Sequence, residues 1–283
     1  MNSFRQITIV GVGLIGGSFG LAARQAGFQG EIVGCDRLDV LERARQSGVI
    51  DSGDPDLGAA TQGSDLILLA TPVGSIIDLL EQAPIFPPDA LITDVGSTKQ
   101  AIVERVRAVL GAAAAQRFLP GHPMAGKELS GLEQADAGLF QNAVWLITPM
   151  AGQDVTAGPI AAFLALVESM GARVMPMNLA RHDQLCAWIS HLPQMIATAL
   201  GATLEEEFGD DPELHAIGGR ALREMTRIAS SPYSMWRDIA LTNTANIHEA
   251  ILRLEQRLAF IRENLRTRGL AEEFEQAQKF RHT

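Results

Sequence analysis

Ile7-Thr8-Ile9-Val10-Gly11-Val12-Gly13-Leu14-Ile15-Gly16-Gly17 is a β-branched run that ends in clustered glycines, and a helix-favouring stretch from Ser18 to Gln25 follows it. Strand, tight turn and helix in this order make a dinucleotide-binding unit. Gly11 permits the turn and Gly13 lets backbone approach a pyrophosphate. Gly16 lets helix and strand pack closely, with the helix N-terminus facing the phosphates. Leu14 and Ile15 belong to the same turn. The glycines alone are a weak signal. They gain weight from the next apolar run, Glu31 to Gly34, and from Asp36, which lies 20 residues past Gly16, where an acid meets a ribose 2′-hydroxyl. A carboxylate there repels the extra phosphate of NADP, so NAD is the expected cofactor. Arg37 keeps NADP open as the lesser alternative, because a guanidinium either stacks on adenine or pairs with a 2′-phosphate.

Two further buried strands are expected at Asp65 to Ala70 and Ala90 to Val95. Thr71-Pro72-Val73 follows the first, and proline there ends the strand and presents backbone to the ligand crevice. Ala70 to Val73 therefore join the expected cofactor contacts. Gly96-Ser97-Thr98-Lys99 and a helix over Gln100 to Leu110 follow the second. The stretch Phe118 to Gly126, FLPGHPMAG, comes next. Its prolines and glycines fix a turn that leaves His122 at the carboxyl edge of a parallel sheet, where ligands bind in folds of this kind. Imidazole accepts a proton near neutral pH, so His122 is the candidate base; hydrogen bonding to its own turn is the alternative. Ser97 either orients that imidazole or the nicotinamide amide, or caps the helix behind it, and the two are compatible. Strands at Ala143 to Thr148 and Ala172 to Met177, with a helix over Ile160 to Met170 between them, carry the sheet to about Met177. The fold class expected is α/β, a Rossmann-type dinucleotide-binding domain (residues 1–177) followed by an all-helical substrate-binding and dimerisation domain (residues 178–283).

Beyond Met177, helical periodicity takes over. One long helix is expected over Asn178 to Glu207, with Asn178 as its N-cap. It carries His182, Ser190, His191 and Gln194 among apolar positions, a polar cluster on an otherwise buried helix. In the stretch Gly218 to Ile228, Arg227 beside Ile228 is a candidate carboxylate clamp, whereas Arg223 reads as a surface arginine paired with Glu224. From Ile247 the apolar residues Ile251, Leu254, Leu258, Ile261 and Leu265 follow at alternating spacings of four and three. That seam predicts a homodimer joined through the C-terminal helices.

Composition removes several classes. A formal net charge of -10, from 23 basic and 33 acidic residues, attracts neither nucleic acid nor an anionic membrane. No secretory signal and no apolar run of membrane-spanning length is read, so a cytoplasmic protein is expected, with Cys35 and Cys186 as reduced buried thiols. No metal ligand set is assigned.

Taken together, GVGLIGGS at 11–18, DVGSTK at 94–99, GHPMAGKE at 121–128, HD at 182–183, SHLP at 190–193, TRIA at 226–229 and MWRDI at 235–239 resemble the prephenate and arogenate dehydrogenases of tyrosine biosynthesis. The resemblance spans nearly the whole chain. It implies that a cyclohexadienol gives hydride to NAD from its hydroxyl-bearing carbon, loses carbon dioxide and becomes aromatic. In that chemistry His122 takes the hydroxyl proton, Ser97 holds His122 and the nicotinamide in register, and Arg227 binds a substrate carboxylate. The resemblance further implies that His182, Ser190, His191 and Gln194 line the pocket for the substrate side chain and that Glu128 closes the site. Two positions depart from the family pattern: Gln194, where some members have a histidine, and Lys127, where a small polar residue is usual. The alternatives are a β-hydroxyacid-type dehydrogenase and a non-catalytic NAD(H)-sensing protein. The first takes its base from a lysine on the first long helix after the sheet, and here that helix has none.

Overall fold

The computed structural model describes residues 4–127 and 129–282. Among the described residues nine strands run β1 (Gln6–Val10), β2 (Glu31–Cys35), β3 (Ser52–Gly53), β4 (Leu66–Leu69), β5 (Leu91–Asp94), β6 (Phe118–Leu119), β7 (Gly121–Pro123), β8 (Val144–Ile147) and β9 (Arg173–Pro176). The first six form a parallel sheet in the order β3-β2-β1-β4-β5-β6. Order reverses between β1 and β4, which places a crevice at their carboxyl ends. The central strands β4 and β5 are buried along their whole length, as sheets covered on both faces require.

The sheet does not continue unbroken to Met177 as the sequence pattern suggests. Strand β6 pairs with β5 through Ile92↔Phe118 and Thr93↔Leu119, and the next position would need a donor from Pro120, which has no N–H. The chain turns away, and β7 pairs antiparallel with β8 and β8 parallel with β9 in a separate three-stranded sheet. This second sheet is locked to the helix Leu14–Gln25 by aromatic packing. Trp145, with no exposed surface, meets Phe19 at 6.1 Å and Phe140 at 5.2 Å between ring centroids. His122 sits in the middle of β7 and inherits that rigidity.

The helix expected over Asn178 to Glu207 is present but not regular. It runs as Leu179–Cys186 and Leu192–Phe208, joined by one wide π turn over Ala187–His191. Pro193 supplies the reason: it cannot donate to the carbonyl four residues back, and a widened turn makes room for its ring. Asn178 caps the start, its side chain accepting from the backbone N–H groups of Ala180 and Arg181. Farther on, Thr244–Glu263 and Arg268–Arg281 are helices, so Leu265 lies in the link between them and the polar end of the chain is helical. Among the described residues no helix is long and apolar enough to cross a membrane.

Two buried carboxylates fasten the helical half onto helix N-termini of the first half. Asp183 accepts from the backbone N–H of Lys99 at 2.8 Å and of Gln100 at 2.9 Å, and Asp238 accepts from that of Gly74 at 2.9 Å. Each satisfies N–H groups that a helix leaves without a partner and lies at the positive end of its dipole. Thr98 and Thr242 add a hydroxyl pair at 2.7 Å.

Candidate active site

The glycine turn has the geometry its sequence implies. Gly11 has φ +94°, and a Cβ on Gly16 would lie 2.1 Å from the Gly11 carbonyl oxygen, so neither position admits a side chain without movement. A Cβ on Gly13, by contrast, would meet nothing within 4 Å, because this glycine opens onto a cleft. That cleft is lined by Gly13, Leu14, Ile15, Ala70, Thr71, Pro72, Val73 and Ser97. Asp36, just past β2, accepts from the Val12 N–H at 2.8 Å and from the Arg37 N–H at 2.7 Å. Its carboxylate is therefore held beside the turn with lone pairs to spare. Arg37 is exposed and ion-paired with Asp39. An open backbone cradle ending in a fixed carboxylate fits a dinucleotide.

A second cavity adjoins this cleft and shares Ser97, Lys127, Met235 and Ile239 with it. His122, Ser190, Gln194 and Arg227 line it. His122 reaches it from β7, Ser190 from the π turn, and Arg227 from the short 3-10 turn Arg227–Ser230, so three separate elements converge. Gln194 is 3% exposed, and its amide NH₂ donates to the Ile228 carbonyl at 2.9 Å and to Thr198 at 3.2 Å. It thereby ties the segment beside Arg227 to the helix. Arg223 is not paired with Glu224 as expected: it donates to the Gly218 carbonyl, and Arg220 takes Glu224.

The imidazole of His122 is set by residues behind it. Nδ1 of His122 lies 2.9 Å from Nε2 of His182, and Nδ1 of His182 lies 2.8 Å from Oδ1 of Asp183. A carboxylate only accepts, so Nδ1 of His182 carries a hydrogen and its Nε2 a lone pair. That lone pair accepts from Nδ1 of His122, which leaves the lone pair of His122 on Nε2, the nitrogen a base needs. Burial above all, followed by electrostatic coupling to His182, Lys99 and His191, pushes the His122 pKa well below the usual 6.5. Asp183 remains a carboxylate: burial pushes its pKa up, but the hydrogen bonds from His182, Gln100 and Lys99 more than offset that and hold it below the usual value. A buried ion pair steadies the strand itself. Asp94 pairs with Lys99, neither having exposed surface, and also accepts from the Gly121 N–H at 3.2 Å and the Gly96 N–H at 2.9 Å.

Two of the expected site residues stand elsewhere than the sequence suggests. His182 is wholly buried behind His122 and does not line the cavity, because its two ring nitrogens are committed to His122 and Asp183. His191, 1% exposed, packs edge-on against Trp236 with Nδ1 at 3.2 Å from the Asn243 amide nitrogen, and does not line the cavity either. Ser97 stands where the cleft and the cavity meet; the hydrogen bond that holds His122 comes from His182, and the N–H groups at the start of the helix behind Ser97 are taken by Asp183. Glu128 lies outside the described residues. Asp94, Lys99, Asn243 and Asp238 hold the site together without having been singled out from the sequence.

Comparison with known proteins gives two family-model matches. Residues 19–176 match the nucleotide-binding domain of prephenate dehydrogenase, and residues 178–280 match its dimerization domain. The prephenate dehydrogenase of Lactococcus lactis subsp. cremoris is 32% identical over 241 residues, covering 84% of this chain. The chain spans 65% of that relative's length. A crystal structure of prephenate dehydrogenase from Aquifex aeolicus, in complex with hydroxyphenyl propionate and NAD+, superimposes with a TM-score of 0.84 at 32% identity. The superposition covers 98% of this chain and 94% of that one. Synechocystis arogenate dehydrogenase matches with a TM-score of 0.78 at 28% identity, covering 98% and 99% of the two chains.

Proposed function

The chain belongs to the prephenate dehydrogenase family, and from that membership we propose that it oxidatively decarboxylates prephenate to 4-hydroxyphenylpyruvate, arogenate to tyrosine, or both, with NAD as the oxidant. The observation that carries this reading is the cavity shared by His122 and Arg227, which opens through Ser97 into the cleft above the glycine turn. A base and a carboxylate-binding cation face one space beside a dinucleotide cradle.

Bound in the cleft, NAD supplies the hydride acceptor. The rest is done by the chain's own side chains. Neutral His122 accepts the substrate hydroxyl proton at Nε2 as the hydroxyl-bearing carbon becomes a carbonyl. His182 and Asp183 keep that lone pair aimed outward and stabilise the imidazolium that forms. Arg227 holds a substrate carboxylate, and guanidinium suits that task because its planar fork matches two oxygens. Ser97 aligns substrate and nicotinamide at the mouth they share. Ser190 and Gln194 are the groups that meet the substrate side chain, with His182 behind His122 and His191 against Trp236. Loss of carbon dioxide restores aromaticity and makes the step effectively irreversible.

The preference for NAD over NADP rests on Asp36, held beside the glycine turn by the Val12 N–H, because a carboxylate there repels a 2′-phosphate. The proposed division into residues 1–177 and 178–283 follows the change from β9 to helix at Asn178. A second copy of the chain is placed on the C-terminal helices. There Leu258 is 56% exposed, and Leu265, in the link between the two helices, is 62% exposed.

The test is a matrix of prephenate and arogenate against NAD and NADP, with carbon dioxide measured beside reduced cofactor. Equal amounts of the two products on at least one substrate, with NAD preferred, are expected. Oxidation of a small β-hydroxyacid with no turnover of either cyclohexadienol would remove the reading.

A further inference from the structure

His122, His182 and Cys186 form a buried cluster that the proposed reaction uses only in part, since it gives Cys186 no role. Nδ1 of His122 lies 2.9 Å from Nε2 of His182, and Sγ of Cys186 lies 3.9 Å from the first and 3.7 Å from the second. Bonds of about 2.0 Å to imidazole nitrogen and about 2.3 Å to thiolate sulfur give a tetrahedral zinc site edges of roughly 3.3 Å between nitrogens and roughly 3.5 Å between nitrogen and sulfur. The three atoms thus already occupy one face of such a tetrahedron to within about 0.4 Å per edge. His182 and Cys186 are one helical turn apart on the same helix, so their spacing is fixed by backbone. Asp183 holds the far nitrogen of His182, the carboxylate–imidazole arrangement that orients metal-bound histidines.

We propose that these three side chains form a site for a thiophilic divalent cation, zinc foremost, and that the bound cation switches the base off. The cation displaces the Cys186 thiol proton to solvent and forms a bond to the thiolate. It bonds the lone pair on Nε2 of His182. It also takes Nδ1 of His122, whose proton passes to Nε2 of the same ring, and a water fills the fourth position. Nothing is oxidised or reduced, and one proton is released per cation. With a hydrogen on Nε2, His122 no longer accepts the substrate proton.

Cobalt(II) chloride is the direct probe, because a thiolate ligand gives cobalt a near-ultraviolet charge-transfer band. One equivalent per chain is expected to produce that band in the native enzyme and not in Cys186→Ala. Zinc chloride is expected to abolish turnover reversibly on chelation while leaving NAD binding unchanged. Cys186→Ala is expected to keep its turnover within about twofold and to need at least about tenfold more zinc for inhibition. A native cobalt spectrum without the thiolate band overturns the proposal, and this arm needs no variant to fold. Equal zinc inhibition of the native enzyme and Cys186→Ala overturns it as well. The inhibition arm rests on the proposed reaction and the cobalt arm does not. Failure to turn over any cyclohexadienol would therefore remove the reaction and leave the cation site standing or falling on its spectrum.

Discussion

Nε2 of His182, from the first helix of the helical half, sits 2.9 Å from Nδ1 of His122 on β7 and decides which nitrogen of His122 carries the lone pair. His182→Asn removes that acceptor. The turnover number is expected to fall about 10- to 100-fold, with NAD affinity and the substrate Michaelis constant within about twofold of native. The acid limb of the pH profile should move as well, which a role confined to packing would not cause.

His122 must be neutral to take a proton, and its pKa is depressed below 6.5 chiefly by burial. A base with a lowered pKa stays unprotonated at pH 6.5, so kcat/KM should still be on its plateau there and fall only at more acid pH. A half-loss at or above pH 6.5 would contradict the assignment.

Arg227 lines the same cavity as His122 from the opposite domain. Arg227→Ala should raise the substrate Michaelis constant about 10- to 100-fold, the worth of a charge-assisted hydrogen bond, and leave NAD binding unchanged. Substrate dependence equal to that of the native enzyme would refute the clamp.

Lys99 and Asp94 pair with no exposed surface, and Asp94 also holds the N–H of Gly121 next to His122. Lys99→Met leaves a buried carboxylate without its cation. Stability in urea should fall by about 3–5 kcal/mol, with turnover falling alongside as β7 loosens. A loss under about 1 kcal/mol would show that the carboxylate finds another partner.

The glycine turn, Asp36 and the N-cap at Asn178 were legible in the sequence because each depends on residues close together in the chain. Strand β7 was not, because Gly121-His122-Pro123 has the composition of a turn, and only the absent N–H of Pro120 marks where the parallel ladder ends. The π turn was hidden because the apolar spacing around it is helical, although Pro193 was visible. The resemblance implies a pocket-lining role for His182, and helix spacing alone offers it no partner. Its actual partner lies 60 residues away, and the carboxylate on Gly74 comes from a residue 164 positions away, distances at which sequence pattern carries no register.

The most direct test of the central claim, that His122 is the base serving a substrate held by Arg227, is rapid-mixing measurement of hydride transfer in His122→Asn together with its NAD dissociation constant. The account predicts native NAD affinity and a hydride-transfer rate lower by about 10² or more. Native hydride transfer, or a loss explained wholly by weaker NAD binding, would contradict it.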